Sequence, residues 1–238
     1  MRPFYVVTVH PSIVSAYGQF GVFRAAADKG LAHVSALDLR DYAVDRHGSI
    51  DAAPYGGGDG MVMRVEPLAA AIDALPVKPL VFLTSPAGKP WTQSEANRHA
   101  AQDRPIAIIC GRFAGVDQRF IDLYVDEQYS MGDVVLAGGE LPALAMIESI
   151  LRLIPGVLGH SESASKDSFM PEYGFGLEHP LYTRPPEFRG LGVPEVLRSG
   201  DHRAIAAWRR DEAVKRTRAL RPDLFLRPSG DKAKASEQ

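Results

Sequence analysis

Short apolar runs recur along the first 160 residues, each bounded by glycine, proline or polar clusters. Residues 4–9 (FYVVTV) predict a buried strand ended by His10-Pro11, with Ser12 the expected N-cap of a helix running to Lys29-Gly30. Residues 31–39 alternate like a second strand, 41–61 form a long polar, glycine-rich loop, and 65–75 predict a short helix. Residues 80–84 read as a buried strand, SPAGKPWTQ as a loop leading into a helix near Ser94, and 105–110 as a further buried strand. Repeated strand-loop-helix units with near-continuous apolar strands predict an α/β fold whose sheet is mostly parallel and covered by helices.

The stretch 129–159, YSMGDVVLAGGELPALAMIESILRLIPGVLG, combines several demands. Val134, Val135 and Leu136 predict a short buried strand, and Ala137-Gly138-Gly139 a tight turn without side chains. Glu140 opens a helix in which Leu144, Ile147, Leu151 and Ile154 recur at helical spacing, with Arg152 its single cation and Pro155-Gly156 its stop. After Gly159 the periodicity breaks. The expected organisation is a first domain over 1–160, an interdomain linker over 161–176 that ligand helps to order, and a small all-α domain over 177–238 ending in a disordered tail. In that last part Asp201 is the expected N-cap of a helix carrying Ile205, Trp208 and Val214 on one face and Arg209, Arg210, Lys215, Arg216, Arg218 and Arg221 on the other.

At 238 residues and 45% hydrophobic the chain can bury a substantial core. The single cysteine, Cys110, excludes an internal disulfide framework and reads as a small buried hydrophobe. The first residues lack the apolar run of a signal peptide or membrane span, so a soluble cytoplasmic protein without membrane partners is expected. The net charge of −2 hides an asymmetry: 13 Lys/Arg face 9 Asp/Glu from Leu177 onward, and 14 face 20 before it. A basic last third suggests a polyanion such as RNA as its partner, the bland alternative being a solvated helix face.

There is no phosphate loop ending in Gly-Lys-Ser/Thr, no spaced dinucleotide glycine fingerprint and no nucleophile elbow. Seven scattered histidines and a lone cysteine give no zinc-ligand spacing, and no metal ligand is assigned. What remains is three backbone-rich turns after buried strands: residues 84–88, 110–113, and 131–139. Converging at strand C-terminal ends, they would line one crevice with amides, carbonyls and apolar side chains, a setting for an adenosine-like ligand; the alternative is that they are mere connections. Arg152, in an apolar helix, would need a partner or ligand if buried, and is otherwise a surface cation. Asp167, on the linker, sits where a general base could be delivered, and is otherwise a turn or cap residue.

Taken together, DRHGSIDAAPYGGGDGMVM, SPAG, CGR, GVDQR, YSMGD with LAGGELPA, RLIPGVLG, DSF, YTRP and VPEVLRSG with WRR cover nearly the whole chain. In these motifs the chain resembles the bacterial tRNA (guanine-N1)-methyltransferases that modify guanosine 37, members of the trefoil-knotted SPOUT class. The resemblance implies a deep trefoil knot built from the three turns. It implies S-adenosyl-L-methionine held against Leu83, Thr84, Pro86, Gly88, Gly111, Met131, Gly132, Leu136, Gly138, Gly139 and Pro142. It also implies a homodimer with its active site at the subunit interface, the tRNA anticodon stem-loop as substrate, Asp167 as base and Arg152 as partner of guanine O6. The chain departs from the family pattern at Ala114, where a glutamate associated with magnesium is usual, and at Ala53, Val134 and Leu181, which stand where arginine, an aromatic and histidine are common. Magnesium use therefore stays open, and a diverged member acting on another RNA, or a non-catalytic RNA-binding dimer, are the alternatives.

Overall fold

The computed structural model describes residues 1–159 and 166–226, and the chain divides into two compact units, Met1–Gly159 and His160–Gln238. Residues 161–165 of the expected linker and the expected tail lie outside the described residues.

The first unit begins with β1 (Arg2–Thr8). The single helix expected next is two, α1 (Pro11–Tyr17) and α2 (Gly21–Asp28), the first starting at Pro11 with His10 as its N-cap in place of Ser12. Proline suits a first helical turn because its missing N–H would have no intrahelical acceptor there. Gly30 does close α2: its N–H donates to the Ala27 carbonyl and that of Leu31 to Ala26, the paired bonds of a left-handed glycine terminator. Then follow β2 (Ala32–Asp38), the short strands β3 (Asp51–Ala52) and β4 (Val62–Met63) inside and at the end of the glycine-rich loop, and α3 (Val65–Asp73).

The strand expected to stop at Thr84 is longer. β5 (Leu80–Pro90) breaks register between Thr84 and Lys89, so the SPAG residues bulge out and pairing resumes beyond them. Next come α4 (Gln93–Ala100), capped by the Thr92 hydroxyl, β6 (Ile106–Cys110), β7 (Gly115–Val116), α5 (Gln118–Tyr124), capped by Asp117, and β8 (Glu127–Ser130). Val134, Val135 and Leu136 are not a buried strand: they follow β8 as an irregular segment, 58%, 89% and 46% exposed. Their apolar character matched a strand locally, but the upstream residues of β8 take the sheet position beside β5. Glu140 opens α6 (Glu140–Leu151), as expected.

The main sheet has the order β2-β1-β6-β5-β8 with every neighbouring pair parallel. Both faces are covered. Ile106 and Ile108 point with Phe4, Val6 and Phe82 toward Leu144, Met146 and Ile147 of α6, while Ala107 and Ile109 point with Val7, Val81 and Leu83 toward Leu68 and Phe120. Each such side chain taken from water contributes roughly 1.5–3 kcal/mol, which is why continuous apolar strands belong in the middle of a helix-covered sheet. β3, β4 and β7 form a separate small sheet.

The described part of the second unit holds two 3-10 turns, Pro171–Tyr173 and Glu195–Arg198, a hairpin of β9 (Glu187–Phe188) and β10 (Leu191–Gly192), and helices α7 (His202–Leu220) and α8 (Asp223–Leu226). The expectation of an all-α unit thus misses a hairpin, whose Arg189-Gly190 turn has both residues at positive φ, the twist that suits two antiparallel strands. Asp201 caps α7 as expected, accepting from the Arg203 and Ala204 N–H groups. The expected apolar face is shifted: Ala213 and Thr217 are buried, whereas Val214 is 42% exposed. Among the described residues no helix is long and apolar enough to cross a membrane.

Candidate functional site

The bulge inside β5 after Thr84 and the turns that follow β6 and β8, three neighbours in the sheet, border a cavity of about 460 Å³. The first turn contributes Thr84, Ser85, Pro86 and Ala87, the second Gly111, Arg112, Phe113 and Ala114, and the third Met131, Val134, Leu136, Gly138 and Gly139, with Pro142 of α6 behind them. Leu83 completes the floor. Of the expected ligand-contacting residues, Leu83, Thr84, Pro86, Gly111, Met131, Leu136, Gly138, Gly139 and Pro142 are thereby gathered from distant parts of the chain. Gly88 and Gly132 are not in the lining. Gly88 lies where β5 crosses β8, and an added Cβ would fall 2.5 Å from the Gln128 carbonyl carbon and 2.6 Å from that of Tyr129. Gly132 is held in its turn by Ser130, whose Oγ donates to the Gly132 carbonyl at 2.9 Å and accepts from its N–H at 3.1 Å.

The turns are bonded to one another. Thr84 Oγ1 donates to the Ile109 carbonyl at 3.1 Å and accepts from the Gly111 N–H at 3.3 Å, and the Gly139 N–H donates to the Gly111 carbonyl at 3.0 Å. Arg112 and Gly138 add an antiparallel bridge. At Gly139 the approach leaves no room for a side chain: a Cβ would collide with Thr84 Oγ1 and lie 2.8 Å from Cys110 Cα. Such a wall lets whatever it holds come close to the backbone, with no side chain in between. Cys110 lies under it, 1% exposed, its thiol pushed well up by burial and then by Glu140, consistent with a structural hydrophobe.

Two polar arrangements escaped the sequence reading. Glu140, 4% exposed, accepts from Thr8 Oγ1 at 2.7 Å and stands 3.5 Å from the Arg112 guanidinium, which itself lines the cavity. The one local signal was a carboxylate directly after a glycine pair at a helix start, a place that favours negative charge. Beside the cavity, Tyr129 Oη meets Glu95, Glu127, Arg98 and His99 at 2.7–2.8 Å. Burial, then the neighbouring Arg98, lowers His99 to about 4, whereas the hydrogen bonds from Arg98, Lys89 and Tyr129 overcome burial and bring Glu127 to about 2. Glu95, His99 and Glu127 form a group with ligand atoms within 4.8 Å of one another, but Lys89 and Arg98 already supply its positive charge, at 2.7 Å and 2.6 Å from Glu127. Ala114 offers the cavity a methyl group, against which a Cβ on Gly60 would lie at 3.3 Å, and no ligand atom for a cation.

Arg152 is the C-cap of α6 rather than an interior helix residue, half-buried and outside the cavity lining, with its N–H donating to the Glu148 carbonyl at 3.1 Å. Asp167 belongs to the second unit, half-buried in a turn where its carbonyl accepts from the Met170 N–H at 3.3 Å. Also in that unit, Arg209, Arg210, Lys215, Arg216 and Arg218 lie exposed along α7.

Residues 1–227 match the family model described as tRNA (Guanine-1)-methyltransferase TrmD. The chain is similar to proteins named tRNA (guanine-N(1)-)-methyltransferase from Citrifermentans bemidjiense, 46% identical over 93% of this chain and 89% of the relative, and from Geobacter sulfurreducens, 47% identical over 93% and 90%. Another relative of that name, from an Anaeromyxobacter species, is 49% identical over 94% of this chain and 91% of its own length.

Proposed function

Because the chain belongs to the tRNA (guanine-1)-methyltransferase family and is an enzyme that methylates guanine N1 in tRNA, we propose that its glycine-walled cavity holds S-adenosyl-L-methionine and that its target is guanosine 37 of the anticodon stem-loop. The observation that carries this reading is the Thr84–Gly111–Gly139 wall, where three turns interlock through the Thr84 hydroxyl and a backbone bond and leave no room for a side chain at Gly139. Its size, about 460 Å³, lies within the ~300–1,000 Å³ of small-molecule sites. The lining fits the ligand: the glycines at 111, 138 and 139 allow close approach to backbone, and Leu83, Pro86, Leu136 and Pro142 offer apolar contact for the faces of an adenine ring. We read the same interlocking turns as the deep trefoil knot of the SPOUT class.

The bound sulfonium supplies an electrophilic methyl group. Guanine N1 carries a proton and is a poor nucleophile until that proton leaves, so a carboxylate must take it. Asp167 has that role in this reading. Loss of the proton moves negative charge onto O6, and the Arg152 guanidinium stabilises it there. Asp167 and Arg152 act together with the cavity in a homodimer whose active site lies at the subunit interface. The target base leaves its stack to enter, which costs less in a tRNA loop than in a duplex. The second unit is the tRNA-binding domain, its exposed arginines on α7 holding stem phosphates. A cytoplasmic location suits such a substrate.

The test is methyl transfer from radiolabelled S-adenosyl-L-methionine to tRNA transcripts bearing guanosine at 36 and 37, mapped by mass spectrometry. Label at N1 of guanosine 37 is expected, with Asp167→Ala slowing transfer by roughly 10²–10⁴-fold while leaving donor affinity unchanged. Label at another position overturns the target, and a near-wild-type Asp167→Ala overturns the base.

A further inference from the structure

Residues 166–178, which take in the described part of the expected linker (161–176) and the first two residues after it, fold back on α7 in a closed loop whose backbone is pinned at several points. We propose that Thr217, with Gly176 and Ser168, is a positioning latch that fixes the backbone carrying Asp167; the inference rests on the assignment of Asp167 as the base.

Thr217 is 3% exposed in the middle of the basic helix, far from Asp167 in sequence. Its Oγ1 donates to the Ala213 carbonyl at 2.7 Å, which aims its free lone pair outward to accept the Leu177 N–H at 2.9 Å. Gly176 permits the approach: a Cβ there would lie 2.7 Å from Thr217 Oγ1 and 3.2 Å from its Cγ2. From this bolt the loop closes on itself. The Phe169 N–H donates to the Gly176 carbonyl at 2.6 Å and the Glu178 N–H to Ser168 Oγ at 3.1 Å, so both residues after Asp167 are tied to the pair beside the bolt.

Two non-glycine residues of the loop, Phe169 (φ 69°) and Phe175 (φ 65°), occupy the left-handed region. Such conformations are costly for side-chain-bearing residues and persist where surrounding bonds impose them, commonly at functional sites. A loop serving only as a spacer needs neither the two strained phenylalanines nor a buried threonine devoted to one of its amides. A loop that must present one carboxylate in one orientation needs both, because proton transfer depends on sub-ångström placement.

The experiment compares Thr217→Val, Thr217→Ser, Ser168→Ala and Asp167→Ala in single-turnover methyl transfer at saturating S-adenosyl-L-methionine, with the KM for tRNA measured in parallel. Thr217→Val removes the acceptor for the Leu177 N–H, and Ser168→Ala that for Glu178 at a less buried position. Each is expected to slow transfer by about tenfold, the loss of one buried hydrogen bond, with the KM for tRNA within about twofold. Thr217→Ser keeps the hydroxyl and restores the rate. A slow Asp167→Ala with normal rates in both Thr217→Val and Ser168→Ala overturns the latch and leaves the base standing. A raised KM with unchanged single-turnover rate overturns it in favour of a role in RNA docking. If Asp167→Ala is itself near wild type, the base falls and the latch with it.

Discussion

At the scale of single residues, the cavity depends on what is missing from its wall. A methyl group at position 139 would need the space of Thr84 Oγ1 and approach Cys110 Cα to 2.8 Å, in a place framed by backbone that cannot yield. Gly139→Ala is expected to cost on the order of 1–3 kcal/mol in chemical denaturation and to weaken donor binding measured by calorimetry. His99 gives a pH signature. Its pKa falls from 6.5 to about 4 on folding, so the unfolded chain takes up the proton first as the pH drops; the contribution is complete above 6.5 and lost toward 4. Glu127, lowered from 4.5 to about 2, adds a further loss in the same direction at lower pH. Thermal melts between about pH 7 and pH 4 should show a falling midpoint. His99→Phe should flatten the upper part of that fall, since the His99 Nδ1 has no hydrogen-bond partner among the described residues and the ring is already set among aromatic neighbours, parallel to Trp91 and tilted against Phe82.

At the scale of elements, α6 does two things. Its apolar residues fill one face of the sheet, and its first residue, Glu140, ties the Gly138-Gly139 turn to β1 through Thr8 and to the second turn through Arg112. Glu140→Ala leaves the Thr8 hydroxyl and the Arg112 guanidinium without this acceptor in a buried setting. A stability loss of about 1–3 kcal/mol is expected. Donor affinity should fall with it, because Arg112 and Gly138 both line the cavity. Calorimetric titration of Glu140→Ala and Glu140→Gln separates the parts: the amide keeps an acceptor for Thr8 and should retain more affinity.

At the scale of the whole molecule, charge is divided between the two parts of the sequence, with the cations in excess after Leu177. Those of α7 are exposed, an arrangement suited to a phosphate backbone. Arg209→Gln combined with Arg210→Gln should weaken tRNA binding and reduce the slope of log affinity against log salt by about 1 for each phosphate that is no longer neutralised. Donor affinity should not change, because the cavity is built wholly from the first unit. Filter binding across a salt series checks the first outcome and calorimetry the second.

The amino-acid sequence by itself determined the parallel, helix-covered sheet, because continuous apolar runs such as IAIIC have no other place to be buried on both sides. It also determined the three glycine-bearing turns and the Asp201 cap, which are local matters of backbone freedom and hydrogen bonding. Tertiary structure decided the rest. Val134, Val135 and Leu136 are as apolar as a strand, yet β8 was already beside β5 and they stayed outside. Nothing local marks Tyr129 as the meeting point of Glu95, Arg98, His99 and Glu127, because that network forms only when α4 and β8 pack together. The same holds for Thr217 and Gly176, separated in sequence and joined by the folding of one loop on α7. Periodicity reports which face of an element is buried; which distant residue lies opposite is settled by packing alone.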